Sequence, residues 1–379
     1  MSEETTVIGV PAFDRVLLSE GGTQACLLDV RNPIEAMRWR PEGPGVEGYA
    51  NVPYFDFIDD EDEAFERVPD ASQYYVLCAK GQSSDYVAGL LRDRGLDALN
   101  IENGMNGWAS YHRAVRVSDS GDGFAIYQFA RPAKGCLSYL VVAGKEALVV
   151  DCSRYGDVYR SFAEQLGVRV VGVVDTHLHA DHVSGGSGLA KDLSAPYHLA
   201  DEDAQDSTLD RVAIPRSFEL EDVKVKVLSI PVPGHTLGST ALSVGGRYLI
   251  SGDTLLPDGV GRPDLGNKAR EWTELLYDSL HDVLAKLDPR MRVLPAHVAA
   301  SKQYDRSGAC VRELGDLLTM QPSGDRGAFL EKVRGLVEGS SQPPEYAAIR
   351  KVNLGEGPSG NIEELEIGVN RCALVGAES

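Results

Sequence analysis

Thr176-His177-Leu178-His179-Ala180-Asp181-His182 places three imidazoles and a carboxylate within six residues, directly after an apolar run that reads as a buried strand. Such groups are costly to desolvate one by one, and a shared cation removes most of that cost. A tight turn at a strand end aims them inward together. Three more stretches each follow a strand-like run: Pro233-Gly234-His235-Thr236, Ser251-Gly252-Asp253-Thr254 and Pro295-Ala296-His297. Four loops at strand ends can therefore meet on one rim. Five of the chain's eight histidines lie in them, a clustering that surface or packed histidines would show only by accident. The chemistry implied is that of a metal centre. His112, His198 and His281 lack this setting and read as solvent-exposed.

A second reactive element is Leu77-Cys78-Ala79-Lys80-Gly81-Gln82-Ser83-Ser84, a cysteine after a strand and just before a helix. The N–H groups of Ala79, Lys80, Gly81, Gln82 and Ser83, with the helix N-terminus behind them, favour an anion at the sulfur. The same field makes a thiolate nucleophile and would hold a persulfide on Cys78. Cys26, Cys152, Cys310 and Cys372 have no such surroundings and read as packed or inert. Cys136 and Tyr139 read as core.

The elements that must position these groups fall into two patterns. Ala25–Val30, Tyr74–Leu77 and Ala98–Ile101 read as strands separated by helical spacing, such as Val87, Leu90 and Leu91 after Gly81. Alternating strands and helices predict a small parallel α/β domain over 1–117. Ser118-Asp119-Ser120-Gly121-Asp122-Gly123 reads as the linker. Beyond it, strands come in runs: Phe124–Ala130, Ser138–Val142, Ala147–Asp151, Val168–Asp175, Val223–Ile230, Thr240–Val244, Arg247–Ser251 and Val293–Leu294. Helices are expected near Val158–Leu166, Arg270–Leu287 and Ser307–Leu318. This predicts an α+β domain over 123–379, with two sheets packed face to face and covered by helices.

THLHADH, PGHT, SGDT and PAH, in this order, resemble the metallo-β-lactamase superfamily over about Gly123 to Val352. The resemblance implies an αββα sandwich. In dinuclear members it implies one metal on His177, His179 and His235, and a second on Asp181, His182 and His297, with Asp253 bridging. Gly135-Cys136-Leu137-Ser138-Tyr139 and Gly261-Arg262-Pro263-Asp264-Leu265 resemble persulfide dioxygenases, the second in the form found fused to rhodanese domains. That family implies one Fe(II) per chain on His177, His235 and Asp253, a two-histidine, one-carboxylate face open to O₂ and substrate. The implied reaction converts a low-molecular-weight thiol persulfide to sulfite and free thiol. Arg262 would orient an anionic part of the substrate, or pair structurally with Asp264 or Asp258. Pro263 and Leu265 stand where the family often has threonine and phenylalanine, which leaves the thiol carrier open among glutathione, coenzyme A and others.

The first domain resembles rhodanese sulfurtransferases over Ile8 to Val117. The matching residues are Leu27-Leu28-Asp29-Val30-Arg31, Gly48-Tyr49-Ala50-Asn51-Val52-Pro53, the Cys78 loop and Asn103-Gly104-Met105-Asn106-Gly107-Trp108. Ala79 and Ser83 replace the usual arginines, so Lys80 is the one loop cation and dianions such as thiosulfate should bind less well. Two other readings stand beside the dioxygenase: a dinuclear zinc thioester hydrolase like glyoxalase II, and a non-catalytic sulfur carrier built on Cys78.

Bulk properties limit the class. At 379 residues with 43% hydrophobic and 25% charged residues, the chain is long enough for two cores. A net charge of −20 repels nucleic acid and anionic membranes. No apolar run approaches the roughly 20 residues of a membrane span. The start, MSEETTVIGV, lacks a secretory signal, and six cysteines without CxxC pairs imply no disulfide framework. A cytoplasmic enzyme is expected, with a homo-oligomer left open. The run Asp59-Asp60-Glu61-Asp62-Glu63 reads as a solvated loop.

Overall fold

The computed structural model describes residues 6–19, 24–205, 207–220, 225–266, 268–321, 325–339, 342–357, 360–368 and 372–374. Met1–Thr5 at the acidic start, and Val223 and Lys224 of the expected strand Val223–Ile230, lie outside them.

The first sheet holds β1 (Val7–Ile8), β2 (Ala25–Asp29), β3 (Gly48–Asn51), β4 (Gln73–Leu77) and β5 (Ala98–Ile101) in the order β1-β5-β4-β2-β3. All its pairings are parallel. The central strands are continuous apolar runs because both faces are covered. Leu28, Val76, Val87 and Leu91 pack on one side, and Phe13, Leu27, Leu77 and Trp108 on the other.

The second sheet holds β6 (Arg113–Arg116), β7 (Ala125–Arg131), β8 (Cys136–Ala143), β9 (Glu146–Val150), β10 (Arg169–Val174) and β11 (Tyr197–His198), in reverse chain order from edge to edge. Then come β12 (Ser217–Leu220), β13 (Val225–Pro231), β14 (Thr240–Val244), β15 (Tyr248–Gly252), β16 (Val260–Gly261), β17 (Arg292–Pro295), β18 (Arg312–Glu313) and β19 (Ala373–Leu374). The third sheet runs β12-β13-β14-β15-β17-β18, and β16 pairs with β19. Alternation along each strand divides the side chains between two faces. Val141, Leu148 and Val150 meet Leu242, Val244 and Ile250 between the sheets. Leu140 and Val149 pack outward with Tyr159 and Leu189 of two helices. Leu249 and Val293 pack outward with Leu276 and Phe329 of two others. The result is a four-layer αββα sandwich.

Several expectations need correction. Arg113–Arg116 lies within the first predicted domain, yet it pairs with β7 as the edge strand of the second sheet. The expected linker Ser118–Gly123 is therefore a hairpin loop, pinned because its carboxylates meet cations. Asp119 takes Arg292 and Arg247 at 2.9 Å each, and Asp122 takes the Tyr248 hydroxyl at 2.7 Å. The acidic run is not a loop. Asp59 ends one short helix (Tyr54–Asp59), and Asp60 caps a second (Glu61–Glu66) by accepting from the Glu63 N–H. Carboxylates in that first turn suit the helix dipole, and Arg94 pairs with Glu61 and Asp62. The helix expected over Ser307–Leu318 spans Leu314–Met320, because the Asp305 carboxylate holds Ser307 and Ala309 in a turn. The helix Arg270–Leu287 is regular over Ala269–Asp278 and continues as a π-helical and then a 3₁₀ turn.

The three remaining histidines are not solvent-exposed. His198 is buried against Phe218, and His281 stacks on Tyr277. Half-buried His112 bonds the Ser110 carbonyl and the Ser153 hydroxyl at 2.8 Å each. No helix among the described residues is long and apolar enough to cross a membrane.

The two halves are joined by buried polar contacts. Arg113 bonds both oxygens of Asp14 at 2.6 Å, and the Trp39 indole donates to the Ala133 carbonyl at 2.5 Å. Removing one member of a buried pair strands the other charge. Asp14→Ala is therefore expected to cost about 3–5 kcal/mol in urea unfolding. Burial, helped by the Arg131 charge, lowers the His112 pKa from 6.5 to about 4. The unfolded chain thus binds the extra proton first. Stability from this group is complete above pH 6.5 and falls as the pH drops toward 4. His112→Gln should flatten that acid limb in thermal melts at stepped pH.

Candidate metal centre

The loops that follow β10, β13, β15 and β17 leave the sandwich at one edge and carry the metal-type side chains. Gly252 has φ 55°, and a Cβ there would lie 2.8 Å from the Thr176 hydroxyl, so glycine lets the Asp253 loop seat against the His177 loop. Asp203 joins two loops by accepting from Leu178 N–H at 2.8 Å, Thr236 Oγ1 at 2.6 Å and Gly238 N–H at 2.8 Å. Asn353 donates to the carbonyls of His179 and His182 at 2.9 Å each.

Within this frame, His177 Nε2 and His235 Nε2 lie 3.9 and 3.5 Å from Asp253 Oδ2. All three atoms are buried and lack a hydrogen-bond partner among the described residues. The spacings are too long for hydrogen bonds. Ligands about 2.1 Å from one ion and about 90–110° apart would be separated by about 3–3.5 Å. His235 and Asp253 meet that spacing and His177 lies slightly outside it; with all three donor atoms buried and unpartnered among the described residues, the set fits a metal. The far side of each ring is held. Thr176 Oγ1 donates to Asp151 Oδ2 at 2.9 Å, so it accepts from His177 Nδ1–H, also at 2.9 Å. His235 Nδ1–H donates to the Arg262 carbonyl at 2.9 Å. Both tautomers leave Nε2 with its lone pair facing the gap.

A second group adjoins the first. Ligand atoms of Cys136, Asp181, His182 and His297 lie within 4.8 Å of one another. His297 Nε2 is 2.9 Å from Asp181 Oδ2, and its Nδ1 is 2.5 Å from Asp253 Oδ1. His182 Nδ1 lies 3.3 Å from Asp181. His179 turns Nε2 to Asp151 Oδ1 at 3.1 Å, which leaves Nδ1 buried and unpartnered, as is His182 Nε2.

Burial alone would raise the Asp253 and Asp181 carboxyls, but His297 and its neighbours hold both well below the usual range. Burial opposes a charge on His297 and His182. The carboxylates around His297, and Cys136 with Asp181 beside His182, outweigh it and raise both. His177 and His235 go the other way: burial lowers them and keeps the rings neutral, as ligation requires. Burial would raise Cys136, yet His182 and His297 bring it down to about 7.

Arg262 engages Asp264 with Nε and NH2 at 2.7 and 2.9 Å, so its forked face is turned to that carboxylate. Asp258 instead accepts from Gln303. Cys136 leaves the expected core role for the second group, whereas Tyr139 is core, its hydroxyl on the Pro295 carbonyl at 2.5 Å. Three positioning residues escape sequence reasoning. Asp151 ends an apolar strand and could have been noticed there; Asp203 and Asn353 carry no spacing signal. Asp151 has φ 55° and accepts from Thr176 N–H at 2.7 Å, besides holding the Thr176 hydroxyl and His179.

In the first half, the Cys78 sulfur is buried and accepts from the Gly81 N–H at 3.0 Å. The Ser84 hydroxyl, missed as a site residue, lies 3.1 Å from the sulfur and 2.7 Å from Asn100 Oδ1, and its one proton can serve one of them at a time. Gly104, at φ 51°, lets the Cys78 carbonyl come within 2.2 Å of where a Cβ would sit. Ala79 and Ser83 are partly buried, while Lys80 and Gln82 point to solvent.

Residues 131–297 match the family profile of the metallo-beta-lactamase superfamily, so this stretch is a metallo-beta-lactamase superfamily domain. The Cys78 half lies outside the matched residues. The chain is 33% identical over 175 residues to a hydroxyacylglutathione hydrolase of Anaeromyxobacter dehalogenans, covering 45% of this chain and 65% of that one. It is 27% identical over 228 residues to the mitochondrial persulfide dioxygenase ETHE1 of Bos taurus, covering 55% and 80%. A crystal structure of ETHE1 from Myxococcus xanthus superposes with a TM-score of 0.50 at 22% identity, over 65% of this chain and 100% of that one. That last likeness is one of fold.

Asp151→Asn keeps the shape and tolerates positive φ but weakens the hold on Thr176 and His179. It is expected to reduce metal affinity about 10–100-fold, measured by chelator competition, with the far-UV spectrum unchanged.

Proposed function

We propose that the chain is a non-haem iron(II) persulfide dioxygenase of the cytoplasm, oxidising a low-molecular-weight thiol persulfide with O₂, while Cys78 in a rhodanese-like half exchanges sulfane sulfur with thiols, sulfite or thiosulfate. The observation that carries the reading is the buried, unpartnered trio of His177 Nε2, His235 Nε2 and Asp253 Oδ2. Two imidazoles and one carboxylate on one face form the ligand set that oxygenases use for iron(II). Iron(II) bound there would supply a redox-active centre with neighbouring open positions for O₂ and persulfide. The balance is one persulfide, one O₂ and one water giving one thiol and one sulfurous acid, which ionises to sulfite.

The chain's own residues do the positioning. Thr176 and the Arg262 carbonyl fix the two ligand rings, and His297 holds a proton against Asp253 Oδ1. Tyr346 and Cys372 pack with Ala180 and Leu265 over this edge, and each member of the trio is at most 1% exposed. Such a site excludes bulk water and strengthens each polar contact. At Cys78, the Gly81 N–H and the Ser84 hydroxyl can hold a thiolate or a persulfide. The likeness to the Bos taurus enzyme supports the same reading.

A second reading, a dinuclear zinc thioester hydrolase, is favoured by His179 Nδ1 and His182 Nε2, which are unpartnered beside Asp181. The hydroxyacylglutathione hydrolase likeness supports it too. A metal-bound hydroxide would then be the nucleophile source.

Protein loaded with Fe(II) without oxygen and then given glutathione persulfide is expected to take up O₂ and release sulfite, with one iron per chain. Two zincs per chain with thioester hydrolysis and no O₂ uptake would replace this reading with the second. Cys78→Ser is expected to abolish sulfur transfer from thiosulfate to a thiol.

A further inference from the structure

A cavity of about 580 Å³ lies between the two halves. Arg38 and Ala79, next to Cys78, line it from the first half; Arg131, Arg154, Glu363 and Glu364 line it from the second. None of the metal-type residues does. This is a volume typical of small-molecule sites.

Its charges are arranged asymmetrically. Arg131 is only 1% exposed. Its Nε donates to the Ala109 carbonyl at 2.7 Å and its NH2 lies 3.1 Å from Glu366 Oε2, but NH1 is buried without a hydrogen-bond partner among the described residues. A buried guanidinium nitrogen without an acceptor is costly, and no cation can relieve it. Glu366 is also shared with Arg154 at 2.7 Å, so one carboxylate faces two guanidinium groups. Arg38 is exposed, and neither it nor Glu363 nor Glu364, both exposed, has an ion pair among the described residues. The buried part thus sets two guanidinium groups against one carboxylate, Glu366, and leaves Arg131 NH1 without an acceptor among the described residues, while the rim offers Glu35, Glu363 and Glu364. In a chain of net charge −20, an anionic group needs such a local cation to bind at all.

We propose that this cavity is a binding site, separate from the metal centre, for a small zwitterion: its carboxylate bonds Arg131 and Arg38 and its ammonium faces Glu363 and Glu364. Taking the zwitterion to be the peptide-like thiol that carries sulfur rests on the dioxygenase reading. It would bring that thiol to the wall formed by the Cys78 loop. Glu366, which touches Arg131, also accepts from the Val183 N–H beside His182 at 2.9 Å, so the occupied cavity abuts the metal loop.

S-methylglutathione has the charges but no reactive sulfur, and titration calorimetry of the full chain measures its binding without turnover. One site per chain is expected. Arg38→Ala and Arg131→Lys should each weaken it at least about tenfold, since lysine keeps the charge but not the fork. N-acetylation of the ligand should weaken binding to the parent chain and matter less to Glu364→Gln. His177→Ala should retain the binding. Absence of binding, an affinity unchanged in Arg38→Ala or in a folded Arg131→Lys, or loss of binding in His177→Ala would overturn the cavity assignment. Arg38 is at the exposed rim, so its variant decides the matter even if Arg131→Lys does not fold. O₂ uptake by the iron-loaded parent chain on glutathione persulfide tests the reaction separately. Uptake without cavity binding defeats only the cavity, and binding without uptake defeats only the reaction.

Discussion

Two imidazole nitrogens and a carboxylate oxygen are sealed from water within 4.8 Å of one another, with no proton between them. Uncompensated, that arrangement would cost several kcal/mol for the carboxylate alone. A cation resolves it, and much of the second half can be understood as holding these atoms in place for one. The far nitrogens of the rings are committed to Thr176 and the Arg262 carbonyl, so the lone pairs have one direction left. His297, drawn between Asp253 and Asp181, links this trio to the neighbouring group.

The sandwich supplies rigidity that loops alone lack. Each ligand follows the end of a strand whose other residues lock into one of two apolar faces. Asp203 and Asn353 then tie the loops to one another through backbone groups. One carboxylate and one amide thus do for the loops what ladder hydrogen bonds do for the strands. The first half follows the same logic in miniature, with the Cys78 loop fixed by Gly81, Ser84 and a close approach at Gly104.

Elements with strong local patterns were legible from sequence. Val174 and Leu294 belong to apolar runs, and loops carrying histidines after such runs had few places to go but the sheet edge. Less legible was whatever depended on distant partners. Ser118–Gly123 is polar and small, as linkers are, and only Arg247, Tyr248 and Arg292 make it a pinned hairpin. His112 and His281 owe their burial to residues that fold over them, and a single histidine in a sequence says nothing of that. Asp59–Glu63 reads as a solvated loop because the run is all carboxylates, yet a capping carboxylate and Arg94 organise it. Asn353 reaches the His179 loop from 174 residues away, beyond any local signal.

The number and place of the ions separates oxidation from hydrolysis more directly than any activity. Crystals of the chain loaded with Fe(II) without oxygen, measured at the iron absorption edge, would locate them in an anomalous difference map. The account predicts a single peak coordinated by His177, His235 and Asp253, with His297 hydrogen-bonded to Asp253. A second peak of equal height among Asp181, His182 and His297, or no peak at the trio, would contradict it.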